Sequence, residues 1–393
     1  MSSNEQNNDE GLVRAIGTGA LGINIFNMTV GGGIFVLPGL MAAQLGAAAI
    51  IAYFICGISV ALVFMCYAEI GSRIARSGGS YAYVEETFGP YPGFVVSILL
   101  WFGWAALSDA AITVAMVDTI ATVVPVLAEP LPRSIFLIVL FALLILVNVR
   151  GVKSGVRLYI FNTMVKLVPL MLLLIVGLFV INYENLRITE WPPIENIGAA
   201  SVILFFAFGG AETPLNASGE IRDPGKTVPM GLLVGLTGIL AMYVGLQTVA
   251  QGALGVELAN NTDAPLAAAA NVVLGEWGAT LLLIGGAFSI FSTISGDLLN
   301  TPRVIFAAAR DGNLPSSLAK VHPEYRTPYR AVILFGIIVL GFALSGTFKP
   351  LAVVASGSIL LVYFGVCLAV IRRRLRDGVP ASGQFRLPFG ITI

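Results

Sequence analysis

Residues 27–39 read "NMTVGGGIFVLPG" and place three consecutive glycines and a proline within a long apolar stretch. Each glycine costs about 1 kcal/mol relative to alanine in a helix interior. In a bilayer, irregular backbone persists only where protein or a cavity surrounds it, because every N–H and C=O group needs a partner. The stretch therefore predicts a membrane helix that unwinds around residues 29–33 and restarts near Ile34. The restarted half would present free N–H groups and a positive dipole end, which together bind an anion.

A second stretch, "FFAFGGAETPLN" at residues 205–216, has the same character. Its two glycines interrupt an apolar run, so a half-helix is expected to end near Phe208. Thr213 as the N-cap and Pro214 as the first helical residue then predict a new half-helix. The unpaired carbonyls at the end of the first half suit a cation. The alternative is that the glycines of both stretches only permit close packing of helices.

The composition is that of a polytopic membrane protein. Of the 393 residues, 57% are hydrophobic and 11% are charged, whereas soluble domains carry about 25% charged residues. A spanning helix needs about 20 mostly apolar residues, and ten stretches qualify. The predicted spans are residues 15–43, 46–70, 92–124, 134–149, 158–182, 198–221, 228–253, 277–301, 330–347 and 351–371. The two interrupted stretches lie in the first and sixth spans, and paired interruptions in two halves of a chain predict an inverted-repeat transporter with a midplane site.

The distribution of lysine and arginine predicts the orientation. With the N-terminus on the cytoplasmic side, the inside segments carry 18 of the 22 basic residues, the outside segments carry three, and one lies within a span. Positive charge concentrates on the cytoplasmic side of membrane proteins. The asymmetry therefore predicts a multi-pass protein of the cell inner (plasma) membrane with its N-terminus in the cytoplasm.

The predicted organisation is a single transporter domain with two flanking segments. A disordered cytoplasmic N-terminus covers residues 1–11, the transmembrane domain covers 12–376, and a cytoplasmic tail at 377–393 leads toward a missing eleventh helix. Within the domain, repeat one covers about 12–182 and repeat two covers about 198–372.

The sequence does not favour an enzyme, a metal site or a nucleic-acid partner. The single histidine, His322, lies in a polar loop without a second ligand, and the three cysteines lie singly in apolar runs. The "GTGALG" at residues 17–22 opens a membrane span instead of a βαβ unit, and "GEIRDPGKT" at 219–227 has five residues between its glycines where a Walker A loop has four. No cofactor is predicted, and the formal net charge of zero gives no indication of nucleic-acid binding.

Six motifs follow one another along the chain. They are "GGGIFVLPG" in the first span, "YAEIGSRIARSGGSYAYVEETFGPYPGF" after the second, "NVRGVKSG" before the fifth, "FGGAETPLNASGEIRDPGKTVP" at the sixth, "TDAPLAAAA" before the eighth and "PRVIFAAARDGNLPSSLAKVHPEYRTP" after it. In this order and spacing they resemble the amino acid–polyamine–organocation (APC) superfamily of amino acid permeases over nearly the whole chain. The resemblance implies an all-α integral membrane protein with a LeuT-like 5+5 inverted-repeat helical bundle. The family usually has twelve spans, and ten are seen here.

The resemblance also implies a binding site. In the family, amides of the first span bind the substrate carboxylate, and these map to Gly31, Gly32 and Gly33. Carbonyls of the first and sixth spans bind the substrate ammonium, and these map to Ile25, Phe206, Ala207, Phe208 and Gly209. An aromatic residue of the sixth span closes over the substrate, and its position is that of Phe206.

The function implied is secondary active transport of amino acids by alternating access, with proton-coupled symport expected. An amino acid/amine exchanger (antiporter) remains an alternative, as does a transporter-like sensor or channel. The expected partners are the amino acid substrate, protons and the lipid bilayer. The substrate identity and the oligomeric state stay open.

Lys166 lies about eight residues into the fifth span, which is too deep for easy snorkelling. In proton-coupled relatives a lysine in this context occupies the place of a bound sodium ion, so the resemblance assigns proton coupling to Lys166. Ser289 and Ser292 of the eighth span are the expected oxygen partners. The alternative is a lysine that carbonyls of the first span satisfy without any change in protonation.

Five acidic residues lie in or near the spans, and one of them, Glu212, is expected to favour the start of the second half-helix of the sixth span through the helix dipole. Asp109 in the third span and Asp297 in the eighth are possible side-chain or proton sites, with polar packing as the alternative. Glu69 and Asp118 lie near the ends of spans, so we expect both at the membrane interface.

Overall fold

The computed structural model describes residues 14–74, 78–150, 156–310 and 312–387, without the side chains of residues 156–162 and 217–219. The predicted disordered segment 1–11 and residues 388–393 of the predicted tail lie outside the described residues. The α-helices of the described chain are α1 (Thr18–Thr29), α2 (Leu37–Leu45), α3 (Ala49–Arg73), α4 (Gly79–Phe88), α5 (Pro90–Ile98), α6 (Leu107–Ala121), α7 (Pro130–Arg150), α8 (Val156–Val180), α9 (Ile194–Phe208), α10 (Pro224–Leu254), α11 (Pro265–Leu274), α12 (Glu276–Arg310), α13 (Tyr329–Ser345) and α14 (Phe348–Asp377).

All ten predicted spans are helical at their predicted places. In the described part of the chain, seven helical segments are long and apolar enough to cross a membrane. The other predicted spans are interrupted or short, as α1 with α2, α9 and α13 show. A π-helix at Leu99–Ala106 joins α5 to α6, so the third span is continuous across a local change of helix type.

Two helices of the loops were not predicted. α4 and α11 have ten residues each, which is about half the length that a membrane-spanning helix needs. Pro265 at the first position of α11 and the alanines after it favour a helix on local grounds alone. The "TDAPLAAAA" motif therefore marks a helix between the seventh and eighth spans.

Glycines let α1 approach α10 closely. A Cβ atom added to Gly235 would lie 2.6 Å from Cγ2 of Ile25, and one added to Gly22 would lie 3.3 Å from the carbonyl oxygen of Gly231. Small residues at such contacts bring helix backbones together within a membrane. This packing fixes the N-terminal half of the first span against a continuous helix.

Glu69 lies near the end of α3, as predicted, and its placement at the membrane interface stays a prediction. Its side chain is completely buried and accepts hydrogen bonds from the Arg374 guanidinium near the end of α14 and from the backbone N–H of Leu387. A carboxylate at a helix end stays buried when an arginine and a backbone donor compensate its charge. Asp118, in contrast, keeps a side chain 33% exposed and pairs with Arg133.

Candidate functional site

The first span breaks where its glycines predict. α1 ends at Thr29, the backbone of Gly31 is extended with φ −112° and ψ −149°, and a 3₁₀ turn begins at Gly32 before α2 starts at Leu37. The first N–H groups of a helix have no partner within it, which leaves the amides of Gly32 and Gly33 for a ligand. The amide of Gly31 instead donates to the carbonyl of Thr29 at 2.8 Å.

The sixth span breaks at Gly209. α9 ends at Phe208, and Gly210 has φ +95°, a left-handed conformation that favours glycine. The chain then forms a 3₁₀ helix over Thr213–Glu220, not the predicted half-helix capped by Thr213. The sequence of this segment explains the difference, because proline, asparagine, serine and glycine all weaken the α-helical alternative.

One tyrosine joins the two breaks, and the sequence did not reveal it. The hydroxyl of Tyr243 on α10 lies 2.7 Å from the carbonyl oxygen of Ala207 and 3.0 Å from that of Thr29, so both helix ends lie within hydrogen-bonding distance of its single proton. Its ring is fully buried and packs against Phe208 with centroids 5.3 Å apart. Carbonyls freed by the two breaks therefore converge on a single donor. The predicted carbonyl of Ile25 lies one turn earlier and accepts from the Thr29 hydroxyl at 2.8 Å.

Lys166 binds the end of the first half-helix. Its Nζ atom donates to the carbonyl of Asn27 at 2.6 Å, and the Asn27 amide donates to the Thr163 hydroxyl at 3.0 Å. Lys166 is only 7% exposed. The ammonium group thus sits beside the last turn of α1, two residues before the break begins.

Among the described residues, neither predicted serine partner forms a hydrogen bond with Lys166. The hydroxyl of Ser289 is buried without a hydrogen-bond partner, and Ser292 is half-buried. α12 does pack on the same turn of α8, since a Cβ atom on Gly285 would lie 3.1 Å from the carbonyl of Val165. The structure therefore pairs Lys166 with the first span and places Ser289 on the neighbouring helix as an unused hydroxyl.

Asp109 and Asp297 are brought together between α6 and α12. Asp109 is fully buried, and neither of its carboxyl oxygens has a hydrogen-bond donor. Its carboxyl group interacts directly with that of Asp297. Two carboxylates at close range repel each other when both are ionised. Their role as side-chain or proton sites stays a prediction.

Phe206 lies between the two breaks, and its role as a gate stays a prediction. A Cβ atom on Gly33 would lie 3.2 Å from the Phe206 ring, which also contacts the rings of Trp104 and Phe348 at centroid distances of 5.7 Å and 5.5 Å. Trp104 comes from the π-helix, and its indole occupies the space beside Gly209. π-Helical turns occur often at functional sites, but the sequence gives no signal for this one.

These features define an all-helical membrane bundle with two interrupted spans. The hydroxyl of Tyr243 contacts the helix end at each interruption. A model of the amino acid permease family matches residues 17–391, so the chain belongs to that family. It is 29% identical over 410 residues to the methylthioribose transporter of Bacillus subtilis (strain 168). The match covers 98% of this chain and 86% of that protein. It is 28% identical over 393 residues to the serine/threonine exchanger SteT of the same organism, with 96% and 86% covered.

A third relative and a solved structure agree with this family. The branched-chain amino acid permease BcaP of Bacillus subtilis (strain 168) is 25% identical to this chain over 404 residues. The match covers 94% of this chain and 83% of that protein. The substrate-bound, outward-open structure of a Na⁺-coupled sialic acid symporter superposes with a TM-score of 0.56 at 13% identity, covering 92% of this chain and 79% of that one. The predicted LeuT-like fold and the prediction of a membrane transporter for amino acids, not an enzyme, are confirmed.

Proposed function

We propose that this permease accumulates amino acids by proton-coupled symport, with the substrate held between the two broken spans. The amides of Gly32 and Gly33, with Gly31 beside them, receive the carboxylate at the positive end of the 3₁₀ turn and α2. The carbonyls at the end of α9, from Phe206 to Gly209, receive the ammonium group. A zwitterion then bridges two helix ends of opposite sign.

Lys166 is the proposed coupling residue, and its hydrogen bond to Asn27 is the observation that carries the proposal. Burial disfavours a charged ammonium group, and a single carbonyl compensates only part of the cost. A protonated Lys166 ties α8 to the end of α1 next to the substrate amides. A neutral amine holds the same carbonyl more weakly. Loading and release of one proton would thus bind and free the inner half of the first span, which alternating access requires.

Uptake by the full chain in proteoliposomes tests this coupling. Accumulation of a radiolabelled amino acid is measured with and without an inward proton gradient, in sodium and in choline buffers. The parent is expected to respond to the proton gradient in both buffers. Lys166→Ala should lose that response, and Lys166→Arg should lose it too because arginine stays charged.

Lys349→Ala is the matched control, because Lys349 is exposed at the start of α14. It should keep the full response to the proton gradient. Sodium-driven accumulation in the parent, or an intact proton response in Lys166→Ala, would contradict the proposal and leave Lys166 a structural residue.

Exchange is the second candidate, and the similarity to a serine/threonine exchanger supports it. Proteoliposomes preloaded with unlabelled amino acid distinguish the two modes. Uptake that needs internal substrate and ignores the proton gradient indicates exchange. Uptake into empty vesicles driven by protons indicates symport.

A further inference from the structure

The two charged groups of an amino acid leave only one direction for its side chain. In the proposed function, helix ends of the first and sixth spans take the carboxylate and the ammonium group. The side chain must then face the other helices that contact these breaks. Those helices are the third span, α12 and α14, and their contacting residues are Trp104, Ile112, Ile290 and Phe348.

The surroundings of Gly32 and Gly209 show how near these side chains come to the two breaks. A Cβ atom on Gly32 would lie 2.7 Å from Cγ1 of Ile290 and 3.1 Å from Cβ of Ile112. A Cβ atom on Gly209 would collide with the benzene ring of the Trp104 indole. The walls of the site are thus apolar and lie in direct contact with the backbone that holds the zwitterion.

The π-helix explains why Trp104 reaches the break. The third span is α-helical on both sides of Leu99–Ala106, and the wider turn between them changes the angular spacing of its side chains. Trp104 and Ile112, eight residues apart, both contact the broken spans from this helix. Asp109 lies between them, but its carboxyl group is engaged with Asp297 on α12.

We infer that Trp104 determines which side chains the site accepts, and that the substrates are amino acids with short apolar side chains such as alanine and valine. This inference rests on the proposed function. The indole lies on Gly209 and Phe206 together, so it bounds the space for the side chain on the side of the sixth span. Trp104, Ile112 and Ile290 are apolar, so they offer no partner to a charged side chain.

The test compares substrates in the parent and in Trp104 variants. Stabilisation of the purified full chain in detergent by each amino acid gives relative affinities without requiring transport. The panel is glycine, alanine, valine, leucine, phenylalanine, glutamate and lysine. In the parent, alanine and valine should bind at least about tenfold more tightly than phenylalanine or lysine, within the range by which apolar pockets discriminate size.

Trp104→Ala should lower the preference for alanine over phenylalanine by about tenfold, and Trp104→Phe should have an intermediate effect. Trp101→Ala is the matched control. It removes an indole from the same π-helix, but that indole packs against Phe102. This control should change all affinities by one common factor.

A parent that prefers lysine, glutamate or phenylalanine overturns the inference, and so does a Trp104→Ala variant that weakens every amino acid equally. Loss of all binding in both Trp104 variants, with binding retained in Trp101→Ala, assigns Trp104 to the framework of the site and also overturns the specificity role. The proposed function fails separately, when no amino acid stabilises the parent or accumulates in proteoliposomes.

Discussion

At the scale of single residues, Gly32 is the position where one added carbon has the clearest consequence. The atoms of Ile290 and Ile112 already lie within 3.1 Å of the place where its Cβ would be. Gly32→Val should therefore displace the 3₁₀ turn and weaken amino acid binding by at least about tenfold, which is about 1.4 kcal/mol. Isothermal titration against the preferred amino acid measures the effect.

Gly19→Ala serves as the control for Gly32, because Gly19 lies in α1 with no atom near its Cβ position. It should leave affinity unchanged and raise helix stability slightly. Unchanged affinity in a well-folded Gly32→Val protein would show that the carboxylate binds elsewhere.

Phe206 allows a prediction about the gate. Its ring contacts Gly33 and two further aromatic rings, so truncation opens the site on one side. Phe206→Ala should weaken substrate binding by about 2 kcal/mol, as truncation of a buried aromatic anchor does, mainly by faster release. The neighbouring Phe205→Ala is the control, since Phe205 is half-buried and lies about 100° around α9. Dissociation rates that are equal in the two variants would remove the gate from Phe206.

Single residues differ in how far the sequence reveals them. The glycines of both breaks and Lys166 violate what a membrane span normally tolerates, so they are visible as exceptions. Tyr243 and Trp104 lie in apolar runs where an aromatic residue is unremarkable. Their roles depend on which helices meet across the bundle, and no local pattern encodes that.

At the scale of elements, a buried ion cluster joins the ends of α3 and α14. Glu69 and Arg374 pair there, with Arg73 3.4 Å from the same carboxylate. The segment after α14 closes over the cluster, since the Leu387 N–H donates to Glu69 and the Phe385 N–H donates to the Ser72 hydroxyl at 3.1 Å. The described part of the predicted tail is therefore packed against the helix ends.

This cluster predicts an asymmetric response to mutation. Arg374→Met leaves a buried carboxylate without its main partner and should destabilise the protein by about 3–5 kcal/mol. The double variant Glu69→Gln/Arg374→Met should recover part of that loss. Arg376→Ala is the control, because its pair with Asp377 is exposed and worth about 0–1 kcal/mol. Thermal unfolding in detergent gives the comparison, and equal loss in the Arg374 and Arg376 variants would contradict the cluster's role.

Helices were the most predictable elements, because a membrane span is a long apolar run with recognisable ends. The exceptions have local causes. The segment after Thr213 contains too many weak helix formers to remain α-helical, and α4 and α11 are too short to register as spans. The burial of the Glu69 side chain was not predictable for a different reason, since its partner Arg374 lies 305 residues away in the sequence.

At the scale of the whole molecule, the positions of the two breaks in the ten-span series predicted the architecture. Two interrupted spans at corresponding places indicate an inverted repeat, and the superposition on a solved symporter confirms that fold. The contacts between the spans were not predictable in the same way. They follow from many close fits between side chains and glycines, such as those of α1 on α10, that form only when the helices meet.

The distribution of basic residues predicts the orientation of the molecule in the membrane. The segments on one side hold 18 lysines and arginines and those on the other hold three, so the chain termini should both face the cytoplasm.

A variant without its three native cysteines, which lie at positions 56, 66 and 367, can carry single new cysteines for labelling. Ser316→Cys lies between α12 and α13 on the predicted inner side, and Glu190→Cys lies between α8 and α9 on the predicted outer side. Both replaced residues are exposed, so accessibility of the site itself does not bias the comparison. In intact cells a membrane-impermeant maleimide should label the Glu190→Cys variant alone, and permeabilised cells should show labelling of both. The reverse pattern in intact cells would invert the molecule in the membrane, and with it the side from which Lys166 exchanges its proton.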